Sequence, residues 1–133
     1  MLKVIHLTNF ENSGGNKQII QNLYTYFKTW EGEKIAALFH SDIEWKQMEG
    51  FTSGGTYVGP KELFKNVFGQ FAKYWKGWAA VPEEFISIDN RIIVLGYDKG
   101  KATGNYMKVP LTHIYTVNVG LINHFNNIQT TKL

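Results

Sequence analysis

The stretch from Val109 to Phe125 constrains the fold more than any other part of the chain. It reads as two strands turned back on each other at Asn118-Val119-Gly120. Its first arm is rich in Thr, Ile, Tyr and Val, residues that fit a pleated, half-buried surface. Side chains alternate between faces along a strand, so Val109, Leu111, His113, Tyr115 and Val117 share one face. That face is apolar except at its middle. Buried imidazole nitrogens need partners. His113 is therefore either a core histidine satisfied by its neighbours or the polar group of a pocket.

The rest of the chain supplies partners for this hairpin. Residues 1–15 end in Asn12-Ser13-Gly14-Gly15 and read as a flexible N-terminal arm ahead of one domain over residues 16–130. Asn16 is placed to cap a helix running to about Trp30, whose apolar face carries Ile19, Ile20, Leu23, Tyr24, Phe27 and Trp30. A second short helix is expected over Glu33–Phe39, and His40-Ser41-Asp42 then turns the chain. The alternating run Ile43–Met48 reads as a strand with Trp45 and Gln47 inward, since the other register would bury Glu44 and Lys46. The glycine-rich stretch from Gly50 to Gly59 reads as a loop and a candidate lid, and Pro60 opens a third helix to about Tyr74. Strands follow over Trp78–Ile88, Arg91–Tyr97, Tyr106–Val117 and Leu121–Thr130, with Asp98–Gly104 as a connection. This order predicts an α+β fold: a cone-shaped barrel in which a curved, mostly antiparallel sheet and three helices enclose a central pocket.

Composition narrows the function classes. A chain of 133 residues suits one domain, and 15% aromatic content leaves rings for a pocket wall as well as a core. The 14 basic residues include a single Arg and form no run, so no nucleic-acid partner is expected. No apolar stretch approaches the length of a membrane span and none resembles a signal segment, so no membrane partner is expected and a cytoplasmic location is the default. The chain has no Cys, and His6, His40, His113 and His124 show no metal-ligand spacing, so neither a metal nor another cofactor is expected.

Short motifs add a resemblance. Gly32-Glu33, Ala37-Leu38-Phe39, Asp42-Ile43-Glu44-Trp45 and Tyr57-Val58-Gly59-Pro60 are followed by Val94-Leu95-Gly96, Gly100, Thr103-Gly104, Val109-Pro110, His113, Tyr115, Val117, Gly120, Ile122 and Phe125. In order and spacing, over about residues 16–130, these resemble the SnoaL-like branch of the nuclear transport factor 2 superfamily, which also holds ketosteroid isomerase. The resemblance implies a conical α+β barrel, a homodimer packed through the outer face of the sheet, and a pocket for a small, largely apolar molecule. Ketosteroid isomerase uses an Asp base and an oxyanion hole of Tyr plus a protonated Asp. By resemblance the base position falls near Gln47, the protonated-Asp position on His113, and the tyrosine on Tyr26 or Tyr24. SnoaL-type cyclases carry an acid near the end of the last strand, where this chain reads Asn126-Asn127-Ile128-Gln129-Thr130.

The candidate site follows from both readings. His113, with an ordinary pKa of about 6.5, is the expected catalytic residue, as base or oxyanion donor. Tyr24, Tyr26, Trp45, Gln47, Glu49, Tyr57, Phe125, Asn127 and Gln129 are the expected pocket residues. The expected function is binding of a small apolar or carbonyl-bearing molecule, with proton abstraction next to a carbonyl if the protein is an enzyme. The alternative is a non-catalytic binding or interaction module of the same fold.

Overall fold

The computed structural model describes residues 2–48, 54–74, 76–102 and 104–128. Helix α1 spans Leu2–Thr29 and α2 spans Gly32–Ala37. Strand β1 (Phe39–Gln47) and the short β2 (Gly55–Val58) come next. A third helical segment begins as α3 (Pro60–Leu63), passes through a π-helical turn over Phe64–Phe68, and closes as α4 (Gly69–Tyr74). Four long strands finish the chain: β3 (Lys76–Ile88), β4 (Arg91–Ala102), β5 (Asn105–Asn118) and β6 (Leu121–Ile128). The six strands form one sheet in the order β2-β1-β6-β5-β4-β3. β1 and β6 run parallel, and the other neighbouring pairs are antiparallel. This is the mostly antiparallel α+β cone expected from the sequence.

Sheet and helices meet in one aromatic core. From α1 it takes Ile20, Leu23 and Tyr24, and from the third helical segment Leu63, Val67, Phe68 and Phe71. The sheet supplies the buried parity of β1, β4, β5 and β6, including Ile43 and Trp45 of β1, Ile92 and Val94 of β4, and Leu111, Tyr115 and Val117 of β5. The π turn has a local cause. Gly69 lies so close to the Phe64 carbonyl that a Cβ there would stand 2.9 Å from the oxygen. Only glycine fits without displacing that backbone.

Several expectations are corrected. α1 runs through the Asn12–Gly15 stretch that was expected to break it, so Asn16 is a buried interior residue and not a cap. Each interior glycine costs about 1 kcal/mol relative to alanine. Once the packed half around Ile20, Leu23 and Tyr24 has nucleated the helix, each further turn adds hydrogen bonds at little extra cost. His40, Ser41 and Asp42 belong to β1 instead of a turn, with a register shift between Phe39 and Glu44 and the Asp42 amide donating to His40 Nδ1 at 2.9 Å. Part of the expected loop before Gly59 is strand β2, in which Tyr57 pairs with Trp45. Residues 50–53, the start of the candidate lid, lie outside the described residues. The largest change is in β4, which continues past Tyr97 to Ala102 and takes in Asp98, a residue expected in a connection.

Two tight turns join the last strands. Asp89 and Val119 both have positive φ, 53° and 51°, and Gly120 follows Val119 at 78°. Positive φ at both Val119 and Gly120 gives that second turn the geometry of the type I′ hairpin, whose twist matches that of the strands.

Candidate functional site

The inward face of the sheet closes over α1 and the third helical segment around a cavity of about 30 Å³, measured as the space open to the centres of water-sized spheres. Its wall is mostly rings, with Phe27 from α1, Phe68 and Phe71 from the third helical segment, Trp45 from β1, Trp78 from β3 and Phe125 from β6. They are held by one another. The Trp45 and Phe125 rings stack at 3.8 Å, across the parallel β1–β6 pairing that sets these two residues side by side. Phe71 stacks on Trp78 at 4.4 Å.

Polar groups sit among these rings in two sets. The first is a hydrogen-bonded chain. The Tyr24 hydroxyl lies 2.6 Å from His113 Nδ1 and 2.8 Å from the Tyr115 hydroxyl. The alternation of β5 puts His113 and Tyr115 on the same inner face, and α1 lays Tyr24 over both. Burial pushes His113 down to about 3, so the imidazole is neutral near pH 7 and takes a proton poorly there. Burial also raises both tyrosines above the ordinary phenol range. Tyr24 is raised further by Tyr115 and by the charge of Asp98, and Tyr115 by the charge of Asp98. Both hydroxyls keep their protons.

The second set has unused hydrogen-bonding capacity. Asp98 is 3% exposed, and its Oδ1 has no hydrogen-bond partner. Burial pushes its carboxyl up to about 7. Trp78 Nε1 and Asn127 Oδ1, which belong to residues on the same wall, are also buried and unpartnered. The Trp45 indole N–H, by contrast, donates to Gln47 Oε1 at 3.0 Å. An unpaired buried polar atom costs on the order of 1–3 kcal/mol. Three of them around one cavity favour a guest that brings the missing partners.

Of the residues expected at the site, Tyr24, Trp45, Gln47, His113, Phe125 and Asn127 line the cavity. Tyr26 does not. It lies two positions from Tyr24 on a helix, about 200° around the axis, and its ring faces α2, with Lys34 Nζ 5.6 Å from the centroid. Tyr57 does not either. On β2 its hydroxyl turns to donate to the Gly54 carbonyl at 3.2 Å. Glu49 and Gln129 lie outside the described residues. The main residue missed is Asp98. Its signal was the period of two through Ile92, Val94, Gly96 and Asp98, which continues the buried face of β4. Gly96 interrupts that pattern because β3 presses on it. A Cβ at Gly96 would stand 2.1 Å from the Val81 carbonyl oxygen, beside the bulge between Pro82 and Glu84. Among the described residues no group of three or more His, Cys, Asp or Glu could hold a metal ion, and no helix is long and apolar enough to cross a membrane.

A curved sheet wrapped on helices, with polar side chains held inside a ring-lined cone, defines a nuclear transport factor 2-like protein. Solved structures bear this out. An NTF2-like protein from Burkholderia thailandensis superposes with a TM-score of 0.81 at 26% identity, over 85% of this chain and 88% of that one. TerC, co-crystallized with polyporic acid, gives 0.79 at 25% identity, over 86% of this chain and 91% of that one. A protein with a ketosteroid isomerase-like fold from Catenulispora acidiphila, in complex with trimethylamine, shares the fold at a TM-score of 0.72 and 11% identity, over 83% of each chain. No protein-family model and no curated protein sequence matches the chain. The fold of this chain is that of nuclear transport factor 2-like and ketosteroid isomerase-like proteins.

Proposed function

We infer that the protein binds a compact carbonyl compound inside the cone and moves a proton on it, with Asp98 as the general acid–base. The observation that carries this reading is the Asp98 carboxyl, buried on the cavity wall with an unpartnered oxygen and pushed up to about 7. An acid–base group works best when its pKa lies near the working pH. His113, held at about 3, is much weaker in that role, so the base expected at His113 is reassigned to Asp98. The chemistry balances within the site. Asp98 carboxylate takes a proton from the carbon next to the carbonyl, the C–H electron pair becomes the enolate, and the protonated carboxyl returns the proton to the same or a conjugated carbon. The enolate oxygen needs donors. With His113 Nδ1–H and the Tyr115 hydroxyl both donating to the Tyr24 oxygen, the Tyr24 proton is free for that oxygen, and Trp78 Nε1–H offers a second donor.

The cavity limits the substrate. A sphere enclosing the observed space for water centres has a radius of roughly 3.3 Å once a water radius is added, room for about six non-hydrogen atoms. Cyclopentenone and butanone fall within that limit and a fused-ring polyketide does not. Incubating the protein in D2O with each ketone and following loss of the α-proton signal by NMR tests the reading. Exchange that needs the protein and disappears in Asp98→Asn supports it. Exchange that survives the substitution sinks it.

One observation favours a second reading, non-catalytic binding of a small ammonium ion. A buried carboxylate among aromatic rings suits such a cation, and the protein from Catenulispora acidiphila was solved with trimethylamine. Calorimetric titration with trimethylammonium separates the two. This reading requires binding that tightens as pH rises through about 7, where Asp98 ionises.

A further inference from the structure

The 14 basic residues look scattered in sequence, but the register gathers four of them. Lys76 stands opposite Lys101 across β3–β4, Lys99 stands opposite Lys108 across β4–β5, and Tyr106 stands opposite Lys101. Asp98 points into the cavity, so by alternation Lys99 and Lys101 point outward, and their cross-strand partners share that face. Lys108 Nζ lies 4.2 Å from the centroid of the Tyr97 ring, another outward residue of β4. Strand spacing makes this a flat patch of roughly 10 by 14 Å. Among the described residues none of the four lysines has an ion-pair partner.

Like charges directly opposite each other destabilise a sheet. Lysine on an edge strand guards against unwanted pairing, and that accounts for Lys108, because among the described residues β6 pairs with β5 only from Thr112 onward. It does not account for Lys99 and Lys101. They lie on β4, which is paired on both sides. A repulsion kept on an interior strand points to an anion that relieves it.

We propose that this face docks on an anionic phospholipid bilayer, with the lysines against the headgroups and the start of β5 entering the interface. Tyr106 is 61% exposed beside the lysines, whereas its neighbour Met107, opposite Gly100, falls on the other parity. A phenol suits the depth of the headgroups. Single-stranded nucleic acid fits less well. It needs open ring faces for its bases, whereas the Tyr97 ring is capped by Lys108 and the one arginine, Arg91, sits at the other end of β4. The proposal is independent of the chemistry assigned to Asp98.

Co-sedimentation with vesicles tests it. The protein is expected to partition onto phosphatidylcholine vesicles that contain phosphatidylserine, and not onto phosphatidylcholine alone, at about 0.1 M salt. Each lysine near such a surface contributes about a fivefold effect, so Lys99→Gln with Lys101→Gln is expected to weaken partition by about 25-fold. Tyr106→Ser is expected to weaken it further without changing its salt dependence. Folding is read in the same samples: the lysine double variant should melt no lower than the parent protein, because it relieves a repulsion. Failure to distinguish the two vesicle types overturns the proposal, as does unchanged partition of the double variant. Tighter lysine-dependent binding to a single-stranded oligonucleotide than to the anionic vesicles also overturns it, and assigns the face to nucleic acid.

Discussion

Replacing Asp98 by Asn isolates what the buried carboxyl costs the fold. Its pKa is 3.8 in an ordinary setting and about 7 here, with burial as the cause. A carboxyl whose folded pKa is raised binds more protons when folded than unfolded between those two values. Stability contributed at this position therefore falls as pH rises from about 4 to about 7 and is flat above that. At 1.36 kcal/mol per pKa unit, the carboxylate costs about 4 kcal/mol by pH 8. Asn has nearly the same shape and no charge, but its amide would leave hydrogen bonds unmade, at a cost of about 1 kcal/mol. The Asn variant should match the parent, or fall about 1 kcal/mol below it, near pH 4, and exceed it by about 3 kcal/mol at pH 8.

His113 acts in the opposite sense. Its folded pKa of about 3 lies below the ordinary 6.5, so the unfolded chain binds the extra proton and stability falls as pH drops through that window. In the parent protein the two slopes largely cancel between about pH 4 and 6.5. Removing Asp98 leaves the His113 slope exposed, so the variant should gain stability steadily across this range. Urea denaturation of both proteins from pH 4 to pH 8 measures the difference, in which the contribution of His113 cancels. A variant less stable than the parent at pH 8 would refute the reasoning, since the carboxylate would then have to be ionised and paired with a cation.

Three further outcomes are expected. Tyr24→Phe removes the hydroxyl shared by His113 and Tyr115, which should cost about 1–3 kcal/mol in urea denaturation and, on the reading given above, slow α-proton exchange. Val119→Asn should stabilise the protein by about 1 kcal/mol, read as a higher melting temperature, because a β-branched residue is strained at φ 51° and Asn-Gly suits this turn. Ile86, Ile93 and Ile114 lie on the outward parity of their strands, opposite one another and only half-buried. A homodimer through that aliphatic half is proposed, and light scattering should give a dimer mass that drops to monomer in Ile93→Lys with Ile114→Lys.

The architecture was legible because each long element repeats one pattern. The alternation in β5 placed Leu111, His113, Tyr115 and Val117 on the inner face, where all four are buried. The period of α1 marked Ile20, Leu23 and Tyr24, though not which of Tyr24 and Tyr26 would turn inward, since that depends on how the helix is rotated on the sheet. Boundaries were least legible where glycine and polar residues sit inside an element. Gly14 and Gly15 lie within α1, and Asp98 and Gly100 lie within β4. There the tertiary partners override the local preference: β3 and β5 pair with β4 on both sides of Asp98, through Ala80 and Val109, and keep it in the sheet.

Asp98 shows why the chemistry of the site was harder to read than its shape. A carboxyl after Gly96-Tyr97 and before Lys99-Gly100 has every local mark of a turn. Its meaning comes from two facts that are not local. Gly96 lets the β3 bulge press against β4, since any side chain there would meet the Val81 carbonyl. The strand therefore runs on, and its inner parity carries Asp98 onto the same wall as Trp78, Tyr24 and His113. The same register sends Lys99 and Lys101 outward to meet Lys108 and Lys76. One extension of β4, by five residues beyond Tyr97, thus sets both the buried acid and the lysine face. A substitution that ends the strand early, such as Gly96→Val, should therefore lose the Asp98-dependent exchange and the vesicle binding together, whereas Asp98→Asn removes only the first and Lys99→Gln with Lys101→Gln only the second.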